Sequence, residues 1–130
     1  MLVNVYSKAR NGAEKLSRNF RVREFACSDG ADPIFIAPEL IRLLQDLRDF
    51  FGAPITVHSA YRTPAKNKAV GGAAYSQHLY GAAADISVKG VTPLRVAQQA
   101  RAHLGDKGGV GRYNTFTHVD VREKRADWVG

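Results

Sequence analysis

The segment Gly81-Ala82-Ala83-Ala84-Asp85-Ile86-Ser87-Val88 constrains this chain more than any other. Three consecutive alanines ask for close packing, and Ile86 and Val88 favour a strand. Asp85 stands between the two. A carboxylate buried in such surroundings is costly unless it is paired, so the fold must bring it a compensating group. Near the chain end, Phe116-Thr117-His118-Val119-Asp120-Val121-Arg122 alternates as a strand does. Val119 and Val121 take the core side, which leaves His118 and Asp120 together on the polar face.

At 130 residues the chain is one domain with room for a real core. No apolar run approaches the roughly 20 residues that span a bilayer, so membrane insertion is not expected. The opening residues lack the apolar core of a secretion leader. The single cysteine, Cys27, excludes an internal disulfide and a thiolate zinc knuckle, and reads as a small apolar residue. Nineteen Lys and Arg against twelve Asp and Glu give a net charge of +7, a field that attracts polyanions. The basic residues are dispersed, and no nucleic-acid-binding signature accompanies them.

Pattern reading predicts an α+β fold: one domain, with helices packed on a small, mainly antiparallel sheet. Residues 1–19 read as an N-terminal arm or short surface elements, and residues 20–130 as the domain proper. Leu40, Leu43, Leu44, Leu47, Phe50 and Phe51 recur at helical spacing after Pro38 and stop at Gly52, which predicts a core helix. Ile55 to about Tyr61 reads as a strand that would put His58, Ala60 and Arg62 on one face. Thr63 to His78 reads as a long loop around Gly71-Gly72, and Ala82–Val88 as a strand. A helix capped by Thr92 follows. Val110–Tyr113 and Phe116–Arg122 read as the closing strands.

The chemistry-bearing residues are His78, Asp85 and His118, with Asp120 beside the last. Two imidazoles and one carboxylate form a three-ligand set that suits a catalytic zinc with its fourth position open. Such donors leave the site with a charge of about +1 and the ion strongly Lewis-acidic. A cation would also explain how Asp85 is tolerated. The competing reading is plain: a His-x6-Asp spacing arises by chance, and a strand histidine can simply be a hydrogen-bonded polar residue. His58 reads as structural, and His103, late in a helix, as complementing the helix dipole.

The combination Ser59-Ala60-Tyr61-Arg62 through Ser76-Gln77-His78-Leu79-Tyr80-Gly81-Ala82-Ala83-Ala84-Asp85, followed by His118-Val119-Asp120, resembles the zinc D-Ala-D-Ala carboxypeptidases and endopeptidases that cut peptidoglycan stem peptides. That family shares its fold with D-Ala-D-Ala dipeptidases and the Hedgehog signalling domain. The signature Ser-x-His-x-x-Gly-x-Ala-x-Asp is met by Ser76, His78, Gly81, Ala83 and Asp85, and the resemblance runs from about Phe20 to Trp128. It implies that His78, Asp85 and His118 bind one catalytic zinc. It implies that Arg62 holds a substrate carbonyl or carboxylate, as a guanidinium fork can; a surface salt bridge is the alternative. Ser76 would bind substrate or brace its loop. Many relatives carry an acidic residue three positions before the last histidine, where this chain has Thr115. Asp120 is then the available carboxylate, either as general base or as a group that orients a ligand histidine.

The expected partner is a peptidoglycan stem peptide, with anionic wall polymer attracted to the basic surface, no nucleic acid, and a monomeric protein. The expected place of action is the bacterial cell wall. The absent leader suggests cytoplasmic synthesis with release of the phage endolysin kind, or a secreted enzyme whose leader was removed. A second reading is a catalytically inactive, zinc-stabilised binding or structural module, which Thr115 favours and Arg62 with Asp120 opposes.

Overall fold

The computed structural model describes residues 1–130. Strand β1 (Asn4–Ser7) leads into a single helical turn, α1 (Lys8–Asn11), and then into β2 (Lys15–Ser17) and β3 (Phe20–Arg21). Strand β4 (Pro33–Ile36) returns to pair antiparallel with β1. Helix α2 (Pro38–Phe51), strand β5 (Ile55–Ser59) and helix α3 (Pro64–Ala69) follow. Strand β6 (Ala83–Val88), helix α4 (Pro93–Leu104), and strands β7 (Gly109–Arg112), β8 (Thr117–Asp120) and β9 (Ala126–Val129) complete the chain. The main sheet has the order β5-β6-β8-β7-β9, antiparallel except where β9 runs parallel to β7. This is the α+β arrangement that the pattern predicts.

One face of that sheet makes the core. Ile55, Ala84, Ile86, Val88, Val110 and Val119 are all buried in it, packed with Leu40, Leu44 and Leu47 of α2 and Val96, Ala100 and Leu104 of α4. Helix α2 ends as its spacing predicts, but Phe50 does not join the core. It is half exposed, and the Arg95 guanidinium stands 5.4 Å above its ring. Cys27 is a buried free thiol, as its isolation suggests.

Two of the segments that lead into the site depart from the pattern reading. Strand β5 stops at Ser59, where a bulge puts His58 out of register against β6. Arg62 therefore reaches the site from the following loop and not from a strand face. The predicted long loop also contains α3: Thr63 accepts a hydrogen bond from Lys66 N at 3.1 Å, and Pro64 occupies the first turn.

Gly81 explains the small-residue run. Its φ of +69° is one that L side chains rarely adopt, and a Cβ there would stand 2.2 Å from the Phe35 carbonyl oxygen. Ala82, Ala83 and Ala84 then run fully buried along β8, with Ala83 opposite Asp120 and Ala84 opposite Val119. Close packing delivers Asp85 to the centre of the sheet, on the face opposite the helices.

Candidate metal centre

Register assembles the site. Asp85 in β6 pairs directly with His118 in β8, and Ala83 with Asp120. Ser59 of β5 sits opposite Asp85 on the other side. His78 comes from a short 3-10 turn, Gln77–Tyr80, which Ser76 caps by accepting from His78 N at 3.3 Å. The ligand atoms of His78, Asp85 and His118 lie within 4.8 Å of one another, and all three residues are buried.

The tautomers follow from the partners. His78 Nδ1 is 2.7 Å from the Ala60 carbonyl oxygen, which can only accept, so Nδ1 carries the proton and Nε2 offers a lone pair. That Nε2 stands 3.3 Å from Asp85 Oδ1. His118 Nε2 donates to Asp120 Oδ2 at 2.8 Å, which leaves its Nδ1 facing Asp85 Oδ1 at 3.1 Å. In the neutral rings, two nitrogen lone pairs and a carboxylate oxygen converge on one point. Such a trio repels itself unless a proton or a cation stands between its members. Two imidazoles and one carboxylate, each held by an outer hydrogen bond or ion pair, are the donor set of one zinc ion.

The electrostatics agree. Burial raises the Asp85 carboxyl, but in the metal-free site, where a proton stands between it and the facing ring nitrogens, its hydrogen bonds to His118 and His78 outweigh that and hold it well below the usual carboxylate range. Burial likewise pulls His118 down, and the facing carboxylates of Asp120 and Asp85 overcome it, so the imidazole is raised above its ordinary value. Arg62 reaches Asp85 Oδ2 at 3.5 Å and Ser59 Oγ at 3.4 Å. Buried Asn67 accepts from Arg62 at 3.5 Å and donates to the Ala73 carbonyl at 2.9 Å, tying the guanidinium to the Gly71-Gly72 loop.

Asp120 lies on the predicted face but not in the open cleft. It has no exposed surface. Its Oδ1 accepts from Gly109 N at 2.9 Å, Arg122 N at 3.1 Å and Arg122 Nε at 2.8 Å. Its Oδ2 accepts from His118 and, at 2.6 Å, from the other arm of the Arg122 fork. Both oxygens are engaged on the side of His118 away from Asp85. Thr115 is exposed.

A cleft of about 410 Å³ opens onto the three ligands, lined by Arg62, Gly72 and Ser76 on one side and by Tyr113, Phe116 and Trp128 on the other. Tyr113 and Phe116 stack with their ring centroids 4.5 Å apart, and Trp128 Nε1 donates to the Tyr113 hydroxyl at 2.9 Å. Sequence reasoning missed this aromatic wall. The signal available was Gly109-Val110-Gly111, whose glycines share the site face and leave room there. A Cβ on Gly109 would stand 2.2 Å from Asp120 Oδ2, and one on Gly111 2.4 Å from the Trp128 ring. His58 and His103 lie outside the site: the first contacts Ser87 Oγ at 2.7 Å and the second Gln99.

Fold and donor set together define a metallopeptidase-type centre, and comparison with known proteins gives the family. The sequence model of Peptidase M15 matches residues 14–120, most of the chain. The chain belongs to the Peptidase M15 family. It is also 40% identical over 82 residues to the zinc D-Ala-D-Ala carboxypeptidase of Streptomyces albus G, a match that covers 58% of this chain and 31% of that protein.

Proposed function

We propose that this chain is a zinc peptidase that hydrolyses peptide bonds in peptidoglycan stems or cross-links, with residues 20–130 as its peptidase domain. The observation that carries the reading is the convergence of the His78 and His118 lone pairs on Asp85, each ring fixed by a committed outer partner. The Streptomyces relative, a zinc D-Ala-D-Ala carboxypeptidase by name, supports the substrate class.

In this reading His78, Asp85 and His118 hold one zinc. When bound, it supplies Lewis acidity that polarises a scissile carbonyl and activates water. Arg62 anchors a substrate carbonyl or terminal carboxylate, its fork kept in place by Ser59 and Asn67. Ser76 braces the turn that carries His78. Asp120 keeps the proton on His118 Nε2, and so keeps Nδ1 available as a ligand. The aromatic wall narrows the cleft and limits water beside the reacting bond. The substrate is a peptidoglycan stem peptide, the protein acts at the bacterial cell wall as a monomer, and its +7 charge draws it to anionic wall polymer. A role in phage-type lysis fits the same chemistry.

One observation favours the inactive-module reading: the cleft lining holds no carboxylate except Asp85. Mass spectrometry of products released from purified peptidoglycan separates the two. Loss of terminal alanine, or one severed cross-link or stem bond, abolished by a chelator and restored by zinc, is the result expected of the peptidase. Walls of several chemotypes left intact by zinc-loaded protein would overturn it in favour of the module.

A further inference from the structure

The family match ends at Asp120, yet the structure continues the site beyond it. Strand β9 adds to the sheet edge parallel to β7, with Trp128 in register with Gly111, and Gly111 with His118. Because Gly111 has no side chain, the Trp128 ring lies across β7 and comes to rest 5.0 Å from the His118 ring. Two further contacts fix the indole: its Nε1 donates to the Tyr113 hydroxyl, and the Arg122 guanidinium stands 5.4 Å over its ring. The same Arg122 grips both oxygens of Asp120.

His118 is thus held from three directions. Asp120 holds its Nε2 edge, His78 meets it edge-on at 5.2 Å, and Trp128 closes the remaining side. We infer that Trp128, seated over Gly111 and clamped by Arg122 and Tyr113, is a positioning residue that holds His118 in its ligand orientation. The inference rests on the zinc reading and adds to it a role for the chain's last strand. A ring free to tilt would spend part of its time with Nδ1 aimed away from His78 and Asp85, so zinc affinity would fall although no ligand had changed. Outer partners of metal-bound histidines characteristically contribute about 10- to 100-fold in affinity.

The test is zinc affinity, measured by competition with a chelating dye, for wild type, Trp128→Ala, Trp128→Phe and Gly111→Ala. Circular dichroism confirms folding of each, and the two Trp128 variants suffice if Gly111→Ala does not fold. The expected result is a loss of about tenfold or more for Trp128→Ala. Gly111→Ala, whose new methyl group displaces the indole, falls similarly. Trp128→Phe retains a ring over Gly111 and loses less. Trp128 is the chain's one tryptophan, so its emission should also change as zinc binds the wild type. Wild-type zinc affinity in Trp128→Ala would overturn the inference, whether KM is unchanged or raised; a raised KM alone would make Trp128 a substrate contact only. Failure of the wild type to take up zinc would instead defeat the metal reading on which it rests.

Discussion

The two faces of the five-stranded sheet are built from alternate residues of the same strands, and they are held by different physics. On the helix face, Ile86, Val110 and Val119 meet α2 and α4 through burial that is non-directional and roughly proportional to area. On the other face, Asp85 is held by Arg62, His118 by Asp120 and Asp120 by Arg122, each through a bond with a named partner. His118 and Val119, one step apart in β8, therefore fail differently when changed. A residue on the helix face supports the fold in proportion to its volume, whereas one on the site face supports chemistry through one or two bonds.

The largest expected effects break the site face and spare the fold. His118→Ala or Asp85→Asn should abolish stoichiometric zinc binding and all zinc-dependent hydrolysis, while circular dichroism stays native. Retained zinc at one per chain, measured by mass spectrometry of the metal, would remove these residues from the ligand set.

The converse breaks the other face. Leu44 is fully buried under the sheet, and Leu44→Ala should destabilise by about 2–5 kcal/mol in denaturant unfolding. Zinc affinity of the molecules that remain folded should not move. A matching loss of zinc affinity would mean that the faces are coupled.

Asp120→Asn sharpens the boundary. An orienting role predicts a fall in zinc affinity of about 10- to 100-fold, with kcat recovering at saturating zinc. A general base would show the opposite split, with affinity kept and kcat lost at every zinc concentration. Arg62→Lys keeps the charge but not the fork, and should cost about tenfold in kcat/KM with zinc affinity unchanged.

Acidity offers a gentler probe, in the metal-free protein. Raised above its ordinary 6.5, His118 adds stability that is present below that value and is lost as pH rises through its raised one. Asp85 and Asp120, held below their ordinary 3.8, add stability that is present above that value and is lost as pH falls. Thermal melts in chelator should therefore peak between these limits and decline toward alkaline pH, and zinc should remove the alkaline decline. An alkaline decline that persists at saturating zinc would detach it from this cluster. The smallest effect belongs to His58, exposed at the bulge of β5. His58→Ala should stay within about 0.5 kcal/mol of wild type and leave zinc binding untouched.

What could be read in advance follows the same division. Helices α2 and α4 and the two faces of β8 were legible because apolar spacing reports burial directly. The trio His78, Asp85 and His118 was legible as a candidate donor set from its residue types, and the family resemblance, more than the spacing, singled it out. The contacts of Asp120 were not, because they depend on register: Gly109 N reaches it only once β7 pairs with β8. Trp128 was missed for a different reason: β9 is only four residues long, and its exposed Val129 blurs the alternation that Ala126, Asp127 and Trp128 follow. Helix α3 was legible in principle, with Thr63-Pro64 repeating the Thr92-Pro93 start of α4, but the glycines beyond it masked the signal.

The most direct test of the account is the zinc K-edge absorption spectrum of the zinc-loaded protein. The expected spectrum shows one zinc per chain bound by two imidazole nitrogens at about 2.0–2.1 Å and by carboxylate oxygen, with one position open to solvent or inhibitor. A site closed by four protein ligands, or a protein that takes up no stoichiometric zinc, would contradict it.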